Sequence, residues 1–382
     1  MARSVQALAV LLVALLVSSI CAHFRIAPLF FEAHDRGADF LKVILQLPGG
    51  DWPSDPFAHV VDRYANSMDY KGAFGILHLP PLSMVLSLFA RASFTFVAPS
   101  IVFLALIAAV LTAILIVIYE QTKSVTWCLA TAVSYPLLMM VDRGNLYAGL
   151  AAVCAIAALL PRKPNWTACV LFAIAINVRP NLALCALPLI FLEPRFAFRL
   201  AILTGLVFGG SLIAAQAIYP TYTLMSFLAG VESYTGAYAA GGLGVPFGSS
   251  LYGAFYALGW PASWGAAMAP LTILPLALFA FHRGWIDYGQ LVFICAALMG
   301  LLTTIFGDYH LLIFIAPLVL ARDQATFWAS LLLLAPKAFG TVDSYSIQVI
   351  LNPAIMLAGV GWILMRSYVN HRAGPATIPA TQ

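Results

Sequence analysis

Residues 137–149, "LLMMVDRGNLYAG", set Asp142, Arg143 and Asn145 between two apolar runs at about 125–141 and 146–160. A bilayer core takes about 20 apolar residues of helix to cross, and ionisable groups at such depth are costly. The two runs read as membrane helices. The polar insert reads as a place where helices stop, in a cavity where irregular backbone can be hydrated.

Composition agrees with that reading. Of the 382 residues 62% are hydrophobic and only 9% charged, with a mean hydropathy of +0.94, against roughly one-quarter charged in soluble domains. A net charge of +4, scattered along the chain, excludes nucleic acid as a partner. The chain is expected to be an all-α polytopic integral membrane protein with membrane lipids as its surroundings. The six cysteines (Cys21, Cys128, Cys154, Cys169, Cys185 and Cys295) sit inside apolar runs without metal-ligand spacing and read as small packing residues.

Apolar runs recur at about 5–23, 76–92, 94–118, 125–141, 146–160, 166–178, 181–193, 200–218, 263–281, 288–306, 309–321, 325–337 and 347–365. The first has features of a signal-peptide core but reads as an uncleaved helix, since so many others follow. Basic residues in short loops mark the cytoplasmic side. Arg3, Lys123, Arg162, Arg195, Arg283, Arg322 and Arg366 all fall there if 76–118 crosses once in net, with 76–92 re-entrant. That gives about 12 crossings (11–13 by the runs); a thirteenth would invert everything downstream. Residues 1–366 read as one transmembrane domain and 367–382 as a disordered cytoplasmic tail.

With this topology the polar segments gather on the external face: the long first loop 24–75, "VDRGN" (141–145), "NVRPN" (177–181), a second loop 219–262, and "GDYH" (307–310). The first loop holds Glu32, Asp35, Asp39, Asp51, Asp55, Asp62 and Asp69. Most of these carboxylates are expected to solvate the loop or cap helices. Asp39 opens "DFLKVILQL", whose Phe40, Val43, Ile44 and Leu47 recur at helical spacing and suit a helix lying on the membrane.

Arg143 offers a rigid fork of donors suited to phosphate oxygens, Gly144 lets backbone approach closely, and Asn145 can donate and accept. The plainer alternative is an Asp142–Arg143 surface pair at a helix junction. In "NVRPN" Pro180 breaks a helix at Arg179, making a hairpin of two half-length helices that brings a cation to membrane depth, where a bound anion would offset its cost. Otherwise Arg179 pairs with a carboxylate or snorkels. His310 can hydrogen-bond a sugar or phosphate, or serve structure alone. The loop 219–262, rich in Gly, Tyr and Phe, reads as a flexible lid or an ordinary interfacial loop.

In their order these segments resemble the GT-C superfamily of membrane glycosyltransferases, and within it glycosyltransferase family 87. The resemblance rests on Asp39–Phe40, "GGDWPSDPF", "HLPPL", "DRGN", "AINVRPNLALCALPLIFLEPRFAFR" and "GDYHLLIFIAPLVL", over roughly residues 30 to 322. Arg179 stands where the family usually has Lys, and His78 where an aromatic usually precedes the prolines. The resemblance implies a GT-C-like fold in a bacterial inner (plasma) membrane, with the active site on the periplasmic or extracellular face. It implies a hexosyltransferase, a mannosyltransferase by analogy, that moves sugar from a polyprenyl-phosphate donor to a lipid or glycan acceptor of the cell envelope. An aspartate of the first external loop would be the base, Asp39 first and Asp35 second. Arg143 and Arg179 would hold the phosphate and Asn145 and His310 orient it, with no cofactor and no metal. The alternatives are a transporter or lipid/glycan flippase without transferase activity, and a non-catalytic scaffold of an envelope-glycan complex.

Overall fold

The computed structural model describes residues 2–24, 39, 76–94, 96–236, 248–304, 306–336, 341–342 and 345–372. These residues are helical throughout, apart from a two-residue antiparallel pair, Thr341–Val342 with Tyr345–Ser346, and one isolated bridge between Gly248 and Gly307. Asp35 and the rest of the first loop, except Phe24 and Asp39, lie outside them.

The helices follow the apolar runs closely, because in a chain this apolar it is Pro, Gly, Asn and charge that punctuate. They are α1 (Ala2–His23), α2 (Pro81–Ser93), α3 (Pro99–Thr122), α4 (Val125–Ala132), α5 (Tyr135–Arg143), α6 (Leu146–Leu159) and α7 (Trp166–Val178). A 3-10 segment Pro180–Ala186 runs into α8 (Leu187–Leu192), followed by α9 (Arg195–Ile218), α10 (Leu224–Thr235), α11 (Leu251–Ala257), α12 (Ala262–His282) and α13 (Tyr288–Leu302). A second 3-10 segment, Asp308–Phe314, runs into α14 (Ile315–Leu320), and α15 (Gln324–Leu334) and α16 (Gln348–Arg372) complete the order.

Three points stand beside the expectations. First, among the described residues 4 helices, α1, α3, α9 and most of α16, are individually long and apolar enough to cross a membrane. A fifth candidate is α4 with α5, bent by 52° at Val133 and Ser134. Most of the others are shorter, because Pro, Gly and polar residues stop them before 18 residues; α12 runs over 21 residues, and its Leu271–His282 part is apolar. Second, the segment 219–262 holds α10 and α11 rather than open loop: Thr223 with Ser226 forms a capping box and Ser250 caps α11, signals that its glycines obscured. Third, the tail is helical as far as Arg372.

α13 is the centre of the bundle, buried along almost its whole length, while α1, α3 and α9 turn residues such as Leu16, Leu104 and Leu206 outward. Such an apolar exterior suits lipid, not water.

The bundle has two chemically different ends. At one, Arg3 bonds the carbonyls of Ala321 and Arg322, the latter at 2.6 Å. Nearby, Gly289 packs so tightly on Leu320 that a Cβ there would meet its carbonyl oxygen at 2.9 Å. Next to Gly289, the Tyr288 hydroxyl donates to the Leu159 carbonyl at 3.1 Å, and Arg162 lies over the Tyr288 ring. Trp285 stacks on His371. Arg3, Arg162, Arg322 and His371 thus mark a basic end, and the breaks at Arg143–Asn145 and Arg179 face the other. Both ends of α2 lie at this second end: Leu79 and Met84 pack with Tyr222, and Phe94 packs with Phe103, Ile107 and Leu146.

Candidate active site at the polar end

The sequence "DRGN" makes a two-helix junction. Gly144 closes α5 at φ 68°, a left-handed conformation that glycine adopts without a Cβ clash. Asn145 then caps α6, its Oδ1 accepting from the Ala148 amide at 3.1 Å. The turn therefore ends one helix on Arg143 and starts the next on Asn145, and both side chains reach the same place.

Arg179 arrives by a different device. It ends α7 in an extended conformation, as a residue before proline must, and Pro180 opens the following 3-10 segment. Asn177, one turn inside, is buried and donates to the carbonyls of Ala173 at 2.8 Å and Thr204 at 3.1 Å. It fastens α7 to α9 and takes no part in the cluster.

Asp39, Arg143, Asn145 and Arg179 meet. Arg143 donates to Asp39 Oδ1 at 3.3 Å, Asn145 Nδ2 donates to Asp39 Oδ2 at 3.0 Å, and Arg179 donates to Asn145 Oδ1 at 2.9 Å. These bonds join positions 104 and 106 residues apart in the chain. The Arg143 and Asp39 side chains retain 13% and 20% exposure, enough for a ligand to reach them yet too little for water to screen them fully. Two guanidiniums face one carboxylate in this group of four, leaving one net positive charge. The Nε of Arg179 is buried without a hydrogen-bond partner among the described residues.

His310 stands beside it, within electrostatic reach of Arg179. Its ring packs on Phe306 at 5.2 Å and Tyr309 at 4.7 Å, and neither ring nitrogen has a hydrogen-bond partner among the described residues. Buried polar atoms are normally satisfied, and here two imidazole nitrogens and one guanidinium nitrogen have no hydrogen-bond partner among the described residues.

Asp308, two residues away, belongs to a different structure. It is buried, and its carboxylate accepts from the Ser249 hydroxyl, from the Tyr135 hydroxyl at 3.4 Å and from Asn352 at 3.4 Å; Asn352 also donates to Ser249 at 2.8 Å. Ser249 in turn pairs its amide with the Phe306 carbonyl at 2.6 Å. This network pins the turn that carries His310.

Aromatic residues that the sequence did not single out for the site complete the surroundings. Tyr309 and Tyr234 both lie within electrostatic reach of Asp39 and Arg179, and so does Tyr147 of Arg179. Tyr147 shares a hydrogen bond with Ser87. Tyr234, from α10, stacks on His78 with ring centroids 4.2 Å apart and planes within 8°. Tyrosine is common in membrane-interface sequences, so only the tertiary contact distinguishes these from their neighbours.

No protein-family model, curated protein or solved structure matches this chain.

Proposed function

We propose that this protein is a GT-C-like hexosyltransferase of the bacterial plasma membrane. It moves a sugar, mannose by analogy, from a polyprenyl-phosphate donor to a lipid or glycan acceptor on the external face. The observation that carries the reading is the group Asp39–Arg143–Asn145–Arg179: one carboxylate held beside two guanidiniums, with open donor positions, at the end of the bundle away from its basic loops.

Topology supports it. Traced by where they start and stop, α1, α3, α4 with α5, α6, α7, the segment Pro180–Leu192, α9, α12, α13, the segment Asp308–Leu320, α15 and α16 alternate between the two ends. α2 begins and finishes at the polar end. Taken as crossings these passages number about twelve, and the basic end is cytoplasmic by the positive-inside rule.

The chemistry follows from the groups present. The donor phosphate binds Arg179 and Arg143, drawing Arg143 from Asp39. Asp39 then accepts the proton of the acceptor hydroxyl as its oxygen bonds to the anomeric carbon. The bond from that carbon to the phosphate oxygen breaks, and its electron pair stays with the phosphate. Because phosphate leaves readily, one base suffices where a glycosidase uses two carboxyl groups. Fixed guanidinium donors stabilise the charge that develops on the leaving oxygen, and His310 and Asn145 orient it.

The test is incubation of membranes containing the protein with labelled polyprenyl-phosphate mannose, glucose and arabinose, followed by identification of products. Transfer of label from at least one donor, dependent on the protein, is expected. Absence of transfer from all three, with movement of the lipid across the bilayer, would favour a flippase. That second reading draws on helix breaks that coincide with the polar cluster, a device transporters also use.

A further inference from the structure

The stacked pair Tyr234–His78 joins two segments far apart in the chain. α10 docks on the 3-10 segment Ile76–His78 so closely that a Cβ on Gly230 would come within 2.6 Å of the Leu77 carbonyl carbon and 2.7 Å of the His78 nitrogen. Only glycine permits that approach. Just before α10, the buried Tyr222 hydroxyl donates to the Leu79 carbonyl at 2.6 Å. Two anchors therefore hold α10 against the end of the first loop, and Tyr234, one turn beyond Gly230, is fixed with its ring parallel to the imidazole of His78. Tyr234 lies within electrostatic reach of both Asp39 and Arg179.

We infer that Tyr234, held by His78, is the wall on which the pyranose ring of the donor rests, so that sugar recognition belongs to α10 and residues 76–78 rather than to the charged group. The inference rests on the transferase reading. In that reaction the anomeric carbon lies between the departing phosphate and the base, and the sugar must occupy the space that spans both. An aromatic ring within reach of Asp39 and Arg179 flanks that space. Aromatic rings present an apolar face and a polar edge. A pyranose likewise has a C–H face and a rim of hydroxyls, so one ring suits the other. His78 is a positioning residue: the two rings, 4.2 Å apart and nearly parallel, fix the plane of the phenol.

The experiment compares binding of two ligand types to the purified full-length protein in detergent. One type is short-chain polyprenyl-phosphate mannose, glucose or arabinose; the other is the same polyprenyl phosphate without sugar. Wild type is expected to bind at least one glycosylated ligand about tenfold more tightly than the bare phosphate, the gain of one stacked ring. Tyr234→Ala and His78→Ala are expected to lose that preference and keep the affinity for bare phosphate, and Tyr234→Phe is expected to keep both. Alanine variants that retain the full preference, or that lose the bare phosphate as well, would overturn the sugar wall while leaving the transferase reading intact. A wild type that binds no ligand of either type would overturn both.

Discussion

Two aspartates, 39 and 308, lie at the polar end and live in opposite surroundings. Asp39 is partly open and is held by a guanidinium and an amide, one of which is itself held by a second guanidinium. Asp308 is sealed from solvent, and its bonds from Ser249, Tyr135 and Asn352 come from neutral groups that are themselves buried. Neutral donors fixed in a core stabilise one arrangement. A charged, partly exposed partner such as Arg143 can be exchanged for a ligand's charges. In the proposed reaction the first carboxylate reacts and the second holds.

The largest effect should come from the reactive one. Asp39→Asn is isosteric and keeps an acceptor for Arg143, yet it cannot take a proton; transfer is expected to fall by about 10²–10⁴-fold, the range of a general base, with expression and thermal unfolding unchanged. Full activity in that variant would remove Asp39 from the mechanism. Next, Arg179→Ala or Arg143→Ala should lower transfer by about 10²–10³-fold, whereas Arg372→Ala, at the far basic end, should do nothing measurable. Equal activity among the three would dissolve the difference between the ends. The smallest and most diagnostic contrast is in stability. Asp308→Ala leaves hydroxyls of Ser249 and Tyr135 without their acceptor, at about 1–3 kcal/mol for each buried group left unsatisfied, so its unfolding midpoint in detergent should drop well below that of Asp39→Ala. The reverse order would show that Asp39, not Asp308, is the structural carboxylate.

Sequence made one half of this comparison legible. Arg143, Asn145 and Arg179 interrupt apolar runs at Gly144 and Pro180, and such interruptions are visible without any tertiary knowledge. Asp39 stood out only as the opening residue of a helical pattern. The Asp308 network was hidden because its partners lie 173, 59 and 44 residues away, and nothing local distinguishes Asn352 from any other asparagine near a helix start. Tyr234 was hidden differently: the glycines around it suggested open loop, whereas Gly230 is there to admit a neighbouring backbone. Helix lengths were legible only in part, for a related reason. Apolar runs give the extent of lipid-compatible sequence, but where a helix stops depends on caps and bends that break runs such as 125–141 into α4 and α5.

The contact of Arg3 with the carbonyls of Ala321 and Arg322 has a consequence for how the chain is made. The two partners are 318 and 319 residues apart. During synthesis α1 precedes the other helices described and can pack on α4 as soon as that helix follows. Its guanidinium has no carbonyl to close on until α14 has been translated. A helix made early is thus locked late, its arginine fastening the bundle only after the 318 residues that separate it from its partner have been made.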